Sequence, residues 1–163
     1  LSQVVAFREG KIDLKDVEEI LGAVNFAKLQ ELLGYLAQND AVSAVRFLNE
    51  AEEGGYEIHE LARALLANLR KIMILQVDPR LEKLFRAEIS DAELETLKKL
   101  AQNFDPRKIQ LLVRSLMNSQ YLIRRAEIPV LPLELVFLET LGAPTSNSKE
   151  DSPEETSPYP VGN

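Results

Sequence analysis

The chain has no cysteine among its 163 residues. Disulfides, thiolate zinc sites and cysteine nucleophiles are therefore excluded, and the absence fits a reducing compartment. No GxxxxGK[ST] phosphate loop, GxGxxG turn or HExxH pair occurs, so an ATPase or dehydrogenase has nothing to rest on. No apolar run is long enough to span a bilayer and no signal peptide is present, so we expect a cytoplasmic protein without a membrane partner. The chain opens at Leu1 in LSQVVAFREG, which reads as the end of a helix closed by Gly10, and we expect a piece of something longer.

What is present is an acidic chain with enough apolar residues to bury a core. Hydrophobic residues make up 45% and the net charge is −7 with a pI near 4.9. A protein that coats nucleic acid or an anionic membrane needs a dominant basic field, which this composition lacks. Composition shifts near residue 142. From Ala143 onward, APTSNSKEDSPEETSPYPVGN holds four of the eight prolines, six Ser or Thr, four acids against one Lys, and one large aliphatic, Val161. Such a segment buries too little apolar surface to offset its ordering entropy, and we expect a disordered linker over 143–163. It accounts for −3 of the −7, leaving −4 on residues 1–142.

Helix punctuation runs regularly through those residues. Asp13 and Gly22 bracket LKDVEEIL, and Asn25 opens FAKLQELLGYLAQN with Phe26, Leu29, Leu32, Leu33 and Leu36 at helical spacing. Asp40 opens AVSAVRFLNEAEE, which stops at Gly54 and Gly55. Then EIHELARALLANLRKIMILQV carries a wide apolar face of Ile58, Leu61, Ala62, Leu65, Leu69, Ile72 and Met73, ended by Asp78 and Pro79. Ser90 and Glu93 have the spacing of a reciprocal capping box ahead of another helix. A further one starts at Asp105-Pro106, and Pro129 and Pro132 break the chain before LELVFLETLG. No alternating strand appears. The expected fold is all-α, a bundle of about seven helices with a disordered C-terminal tail.

Few residues suggest chemistry. His59, the one histidine, lies in EIHE, where flanking acids would suit a general acid, but a solvated histidine at a helix start is the plainer reading. Glu18 and Glu19, like Glu52 and Glu53, point about 100° apart on a helix and read as solvated faces. Tyr56, after Gly54 and Gly55, suits either a ligand stack or a staple onto the next helix.

The helix DPRKIQLLVRSLMNSQYLIRRA raises a different question. Ile109, Leu112, Val113, Leu116, Met117, Gln120 and Ile123 fall on one broad face, the core stripe of a packed helix. On the other side Arg107, Arg114 and Arg125 line up beside Leu111 and Leu122. Apolar anchors ringed by charges would suit a subunit contact. A solvated face with two single exposed leucines is the bland alternative. A helical adaptor, or a nucleic-acid module laying the Arg107/Arg114/Arg125 face on phosphates without aromatic interleaving, also stays open.

The order of GKIDLKDVEEILG, RFLNEAEEGGYEIHELARALLANLRKI, DPRKIQLLVRSLMNSQYLIRRA and LPLELVFLETLG resembles the gamma/tau subunit of the bacterial DNA polymerase III clamp loader. The resemblance implies the end of a lid domain over 1–24, a helical collar or oligomerisation domain over 25–142, and a variable linker over 143–163. It implies partners too: further gamma/tau copies, delta and delta prime, packed as a ring of five collars that loads the sliding clamp onto primed DNA. ATP, magnesium and zinc would be held by parts of such a subunit upstream of these residues. No catalytic, cofactor or metal residue carries over, and the chain is expected to be no enzyme. The expected site is the interface Arg107, Leu111, Arg114, Leu122 and Arg125.

The tail's composition generates one prediction. Limited proteolysis should cut within 143–163 before any site in the long helices. Cutting first inside 58–77 or 106–125 would contradict it.

Overall fold

A computed structural model describes residues 25–142, and among them there are helices and no strand. The expected helix at LKDVEEIL, the 1–24 unit and the 143–163 linker lie outside these residues. Six α-helices are described: α1 (Phe26–Ala37), α2 (Ala41–Glu53), α3 (Ile58–Val77), α4 (Asp91–Asn103), α5 (Pro106–Arg125) and α6 (Leu131–Leu141). The all-α class expected from periodicity is what the chain adopts.

Most helix starts follow the expected local chemistry. The Asn25 side chain accepts from the Lys28 amide at 2.9 Å, and Asp40 accepts from the Ser43 amide at 3.0 Å. At α4 the capping box closes in both directions, with the Glu93 amide donating to Ser90 Oγ at 3.2 Å and the Ser90 amide to Glu93 Oε2 at 2.7 Å. Each such cap stabilises its helix by about 1 kcal/mol, because it satisfies an amide that the helix itself cannot.

The ends of α1 and α2 are closed by the same backbone device. The Asp40 amide donates to Tyr35 O at 2.9 Å and the Asn39 amide to Leu36 O at 3.3 Å. Likewise the Tyr56 amide donates to Ala51 O at 3.0 Å and the Gly55 amide to Glu52 O at 3.0 Å. Both are Schellman closures, which need a left-handed residue just past the helix. Asn39 has φ 60 and Gly55 φ 85. At Gly55 a side chain would meet no neighbour, so the requirement there is conformational.

α3 is the axis of the bundle. It buries Ile58, Leu61, Ala62, Leu65, Leu69, Ile72 and Leu75, and α1, α2, α4 and α5 pack on it. α6 packs on both α5 and α2, which do not pack closely on each other. Between α3 and α4 run two short 3-10 segments, Pro79–Leu84 and Arg86–Glu88, for which the sequence offered no periodic signal. They seat Phe85 in the core and are tied down by a Lys98–Glu82 pair at 2.6 Å, whose hydrogen bond raises the Lys98 pKa.

Two details depart from expectation. Met117, placed on the core stripe of α5, is 60% exposed. At about 100° per residue it lies some 80° round from Ile109, which puts it past the margin of the buried arc. Pro132, read as a break before the last helix, stands in the first turn of α6 instead, where a missing amide hydrogen leaves no bond unmade. Gln120, also on the core stripe, is half-buried, and its Nε2 has no hydrogen-bond partner among the described residues.

Leu112 and Leu116 are fully buried. Truncating either to alanine should therefore cost about 2–5 kcal/mol through lost transfer energy and a residual cavity. Denaturant melts would show this directly; a change below about 0.5 kcal/mol would mean that α5 is not seated as described.

Candidate interaction surface

The setting of α5 is fixed at its start and along its length. Asp105 accepts from the Arg107 amide at 2.8 Å, and Pro106 supplies the helical φ at the first position. From α3, the Gln76 side-chain amide donates to Ala101 O at 3.1 Å and Phe104 O at 2.8 Å. Those bonds satisfy carbonyls at the end of α4 and so pin the turn from which α5 departs. Burial of Ile109, Leu112, Leu116 and Ile123 then decides which side faces in.

With that rotation set, every residue of the expected stripe faces out. Arg107, Arg114 and Arg125 are exposed, Leu111 is 44% exposed and Leu122 57%. The two leucines lie eleven residues apart, about 16 Å along the helix. Tyr121, overlooked in the reading of this face as free of aromatics, shares it and is exposed, with the Arg125 guanidinium 4.7 Å from its ring centroid. That is stacking distance for a cation on an aromatic face.

Only part of the charge on α5 serves the helix itself. Its twenty residues include Arg107, Lys108, Arg114, Arg124 and Arg125 and no acid. Arg124 and Arg125 suit the negative end of the helix dipole, but Arg107 and Lys108 stand at the positive end, where cations are unfavourable. Arg114 has Gln110, Leu111, Met117 and Asn118 at its helical neighbour positions, none of them acidic. No ion pair engages Arg107, Arg114 or Arg125 among the described residues. Lys108 is half-buried, and desolvation lowers its pKa against the opposing pull of Asp105.

A second surface was not anticipated. α6 buries Leu133, Val136, Phe137 and Thr140, and Glu134 accepts from Asn49 Nδ2 of α2 at 2.8 Å. Its opposite side carries Leu131, Leu135 and Leu138, all exposed, with Ile128 exposed just before it. Spacings of four and three residues put those leucines in one row. The signal was available in LELVFLETLG, which is apolar on both sides of the wheel. A helix of that kind is ordinarily covered on both sides.

The chemistry that flanking acids suggested at His59 does not assemble. Its Nε2 lies 2.9 Å from Glu60 and its Nδ1 3.8 Å from Glu57, and Glu60 is shared with Arg63 at 3.0 Å. These are surface contacts at a helix start. Tyr56 and Leu61 line one small cavity, in the relation of the residue before a cap to the fourth residue after it, as a hydrophobic staple requires. Among the described residues no cluster of His, Asp and Glu is arranged to hold a metal. No described helix is long and apolar enough to cross a membrane.

Because Leu111 and Leu122 stand outside the core, replacing both with Glu should leave helicity unchanged and move stability by no more than about 1 kcal/mol. A loss of several kcal/mol in the same melt would place this face inside the monomer and contradict the setting of α5.

A family described as DNA polymerase III subunits gamma and tau, domain III, matches residues 12–153 of the chain. No curated protein matches it.

Proposed function

The chain belongs to the DNA polymerase III gamma and tau family through domain III, and we propose on that basis that it is a non-catalytic collar piece. It joins the clamp-loader ring that places the sliding clamp on primed DNA. On this reading 25–142 is the collar, 1–24 the end of the lid domain and 143–163 a linker. ATP, magnesium and zinc belong to the ATPase part of such a subunit. The partners are other clamp-loader subunits: further gamma/tau copies, delta and delta prime.

The observation that carries the proposal is the unpaired outer face of α5. Three arginines, Leu111 and Leu122 are held in the open by the burial of the opposite side, and Arg107 and Arg114 have no acidic partner among the described residues. Exposed apolar anchors among uncompensated charges suit an interface that fills on assembly, since the leucines supply area and the charges fix pairing. The leucine row of α6 adds a second face of the same kind.

The alternative of a nucleic-acid module is favoured by one feature, the Tyr121–Arg125 stack, which offers a base a flat surface. Against it stands the acidic chain as a whole. It predicts binding of single-stranded DNA that falls steeply with salt.

The test is co-assembly. Mixed with the other clamp-loader subunits, the wild-type chain should enter the complex, and Leu111→Glu with Leu122→Glu should weaken entry by about 100-fold or more, as charges placed on interface anchors do. Leu135→Glu with Leu138→Glu reads the α6 face in the same way. Wild-type entry by both double variants would remove the collar assignment from these surfaces.

A further inference from the structure

We propose that the α5 stripe docks on the acidic end of α2 in a second copy of this chain, with Leu111 seated in the cavity between α2 and α3. This rests on the collar reading and names the occupant of that face.

The two surfaces match in charge and shape. Residues 50–60, EAEEGGYEIHE, carry Glu50, Glu52, Glu53, Glu57 and Glu60 and no Lys or Arg. Glu50, Glu53 and Glu57 are exposed, and no Lys or Arg pairs with Glu50, Glu52, Glu53 or Glu57 among the described residues. α5 presents the reverse, five bases and no acid. Beside Glu50 lies a cavity of about 60 Å³ lined by Phe47, Ala51, Tyr56 and Leu61, with Lys28 on its rim drawn toward Glu31 at 3.9 Å. That is several times the roughly 10–15 Å³ one water requires, and its apolar lining suits the tip of an aliphatic side chain.

Leu111 is the stripe's matching projection. Arg107 lies four residues before it and Arg114 three after, so a cation stands about one turn to each side. A leucine set into the cavity brings those guanidiniums to the acids at the end of α2, where carboxylate and guanidinium pair in fork geometry.

The chain's own flanking segments are poorer occupants. Residues 1–24 carry five acids against three bases, and 143–163 four against one. Nor do the two surfaces meet within one copy, since α5 and α2 each pack on α6 and not closely on each other. The contact pairs two different surfaces, so it closes as a two-fold dimer if both engage at once and otherwise runs head-to-tail into a ring or an open row.

The test reads the association of the chain with itself by sedimentation, and its entry into the complex with the other clamp-loader subunits. Arg107→Glu with Arg114→Glu, and separately Glu50→Lys with Glu53→Lys, should each weaken self-association at least tenfold. Combining all four reversals in one chain should restore it. Glutamine at the same positions gives the single-sided comparison if a reversed variant fails to fold. If the arginine pair matters and the glutamate pair does not, the stripe docks elsewhere: this inference falls and the collar reading stands. The same holds if both pairs weaken association and the combined variant is not rescued. A wild-type chain that stays monomeric yet enters the complex also overturns the second-copy assignment alone. Loss of single-stranded DNA binding as the sole effect of the arginine pair overturns both.

Discussion

Burial of Ile109, Leu112, Leu116 and Ile123 holds α5 in a single rotation, and the surface chemistry of the molecule depends on that setting. A turn of the helix by about 100°, one residue's worth, would drive arginine into the core or leucine out of it. Either change costs several kcal/mol, so the outward display of Arg107, Leu111, Arg114, Leu122 and Arg125 is rigid. The same constraint is enforced from the start of the helix by the Gln76 amide, which grips the carbonyls of the preceding turn.

That rigidity matters because much of what the two outer faces present has no partner in the monomer. On α5 the first-turn cations oppose the dipole and Arg114 lacks an acidic neighbour on its own helix. On α6 the row Leu131, Leu135 and Leu138 leaves apolar area in water, at a cost of about 25 cal/mol per Å². A bundle selected for stability alone has no use for either face. Both are accounted for by the proposed collar role, in which a neighbour covers these faces; what the chain's membership in the gamma and tau family gives is the domain, domain III.

Much of the fold was legible because the chain marks its helix ends with side chains whose chemistry acts locally. Asn25, Asp40, Ser90 with Glu93, and Asp105-Pro106 all stand at helix starts, and Gly54-Gly55 and Asp78-Pro79 at helix ends. The outward set of Arg107, Leu111, Arg114, Leu122 and Arg125 was legible from angle alone. What escaped is where the local pattern carries no clear phase or margin. Met117 is exposed because the buried arc on α5 is narrower than its apolar residues suggest. The leucine row of α6 was hidden by abundance, since a helix apolar all round gives no phase. The 3-10 segments over 79–88 have too few turns for a period to register.

The central claim, that the outer faces of α5 and α6 are covered on assembly, is tested most directly by the leucine methyl groups in solution. A soluble paramagnetic agent should relax the methyls of Leu111, Leu122, Leu131, Leu135 and Leu138 strongly in the isolated chain, and those of Leu112 and Leu116 weakly. Within the complex formed with the other clamp-loader subunits, the exposed set should lose most of that relaxation while the buried pair stays unchanged. If those five methyls relax as fast in the mixture with those subunits as in the free chain, these faces are not covered on assembly and the account is contradicted.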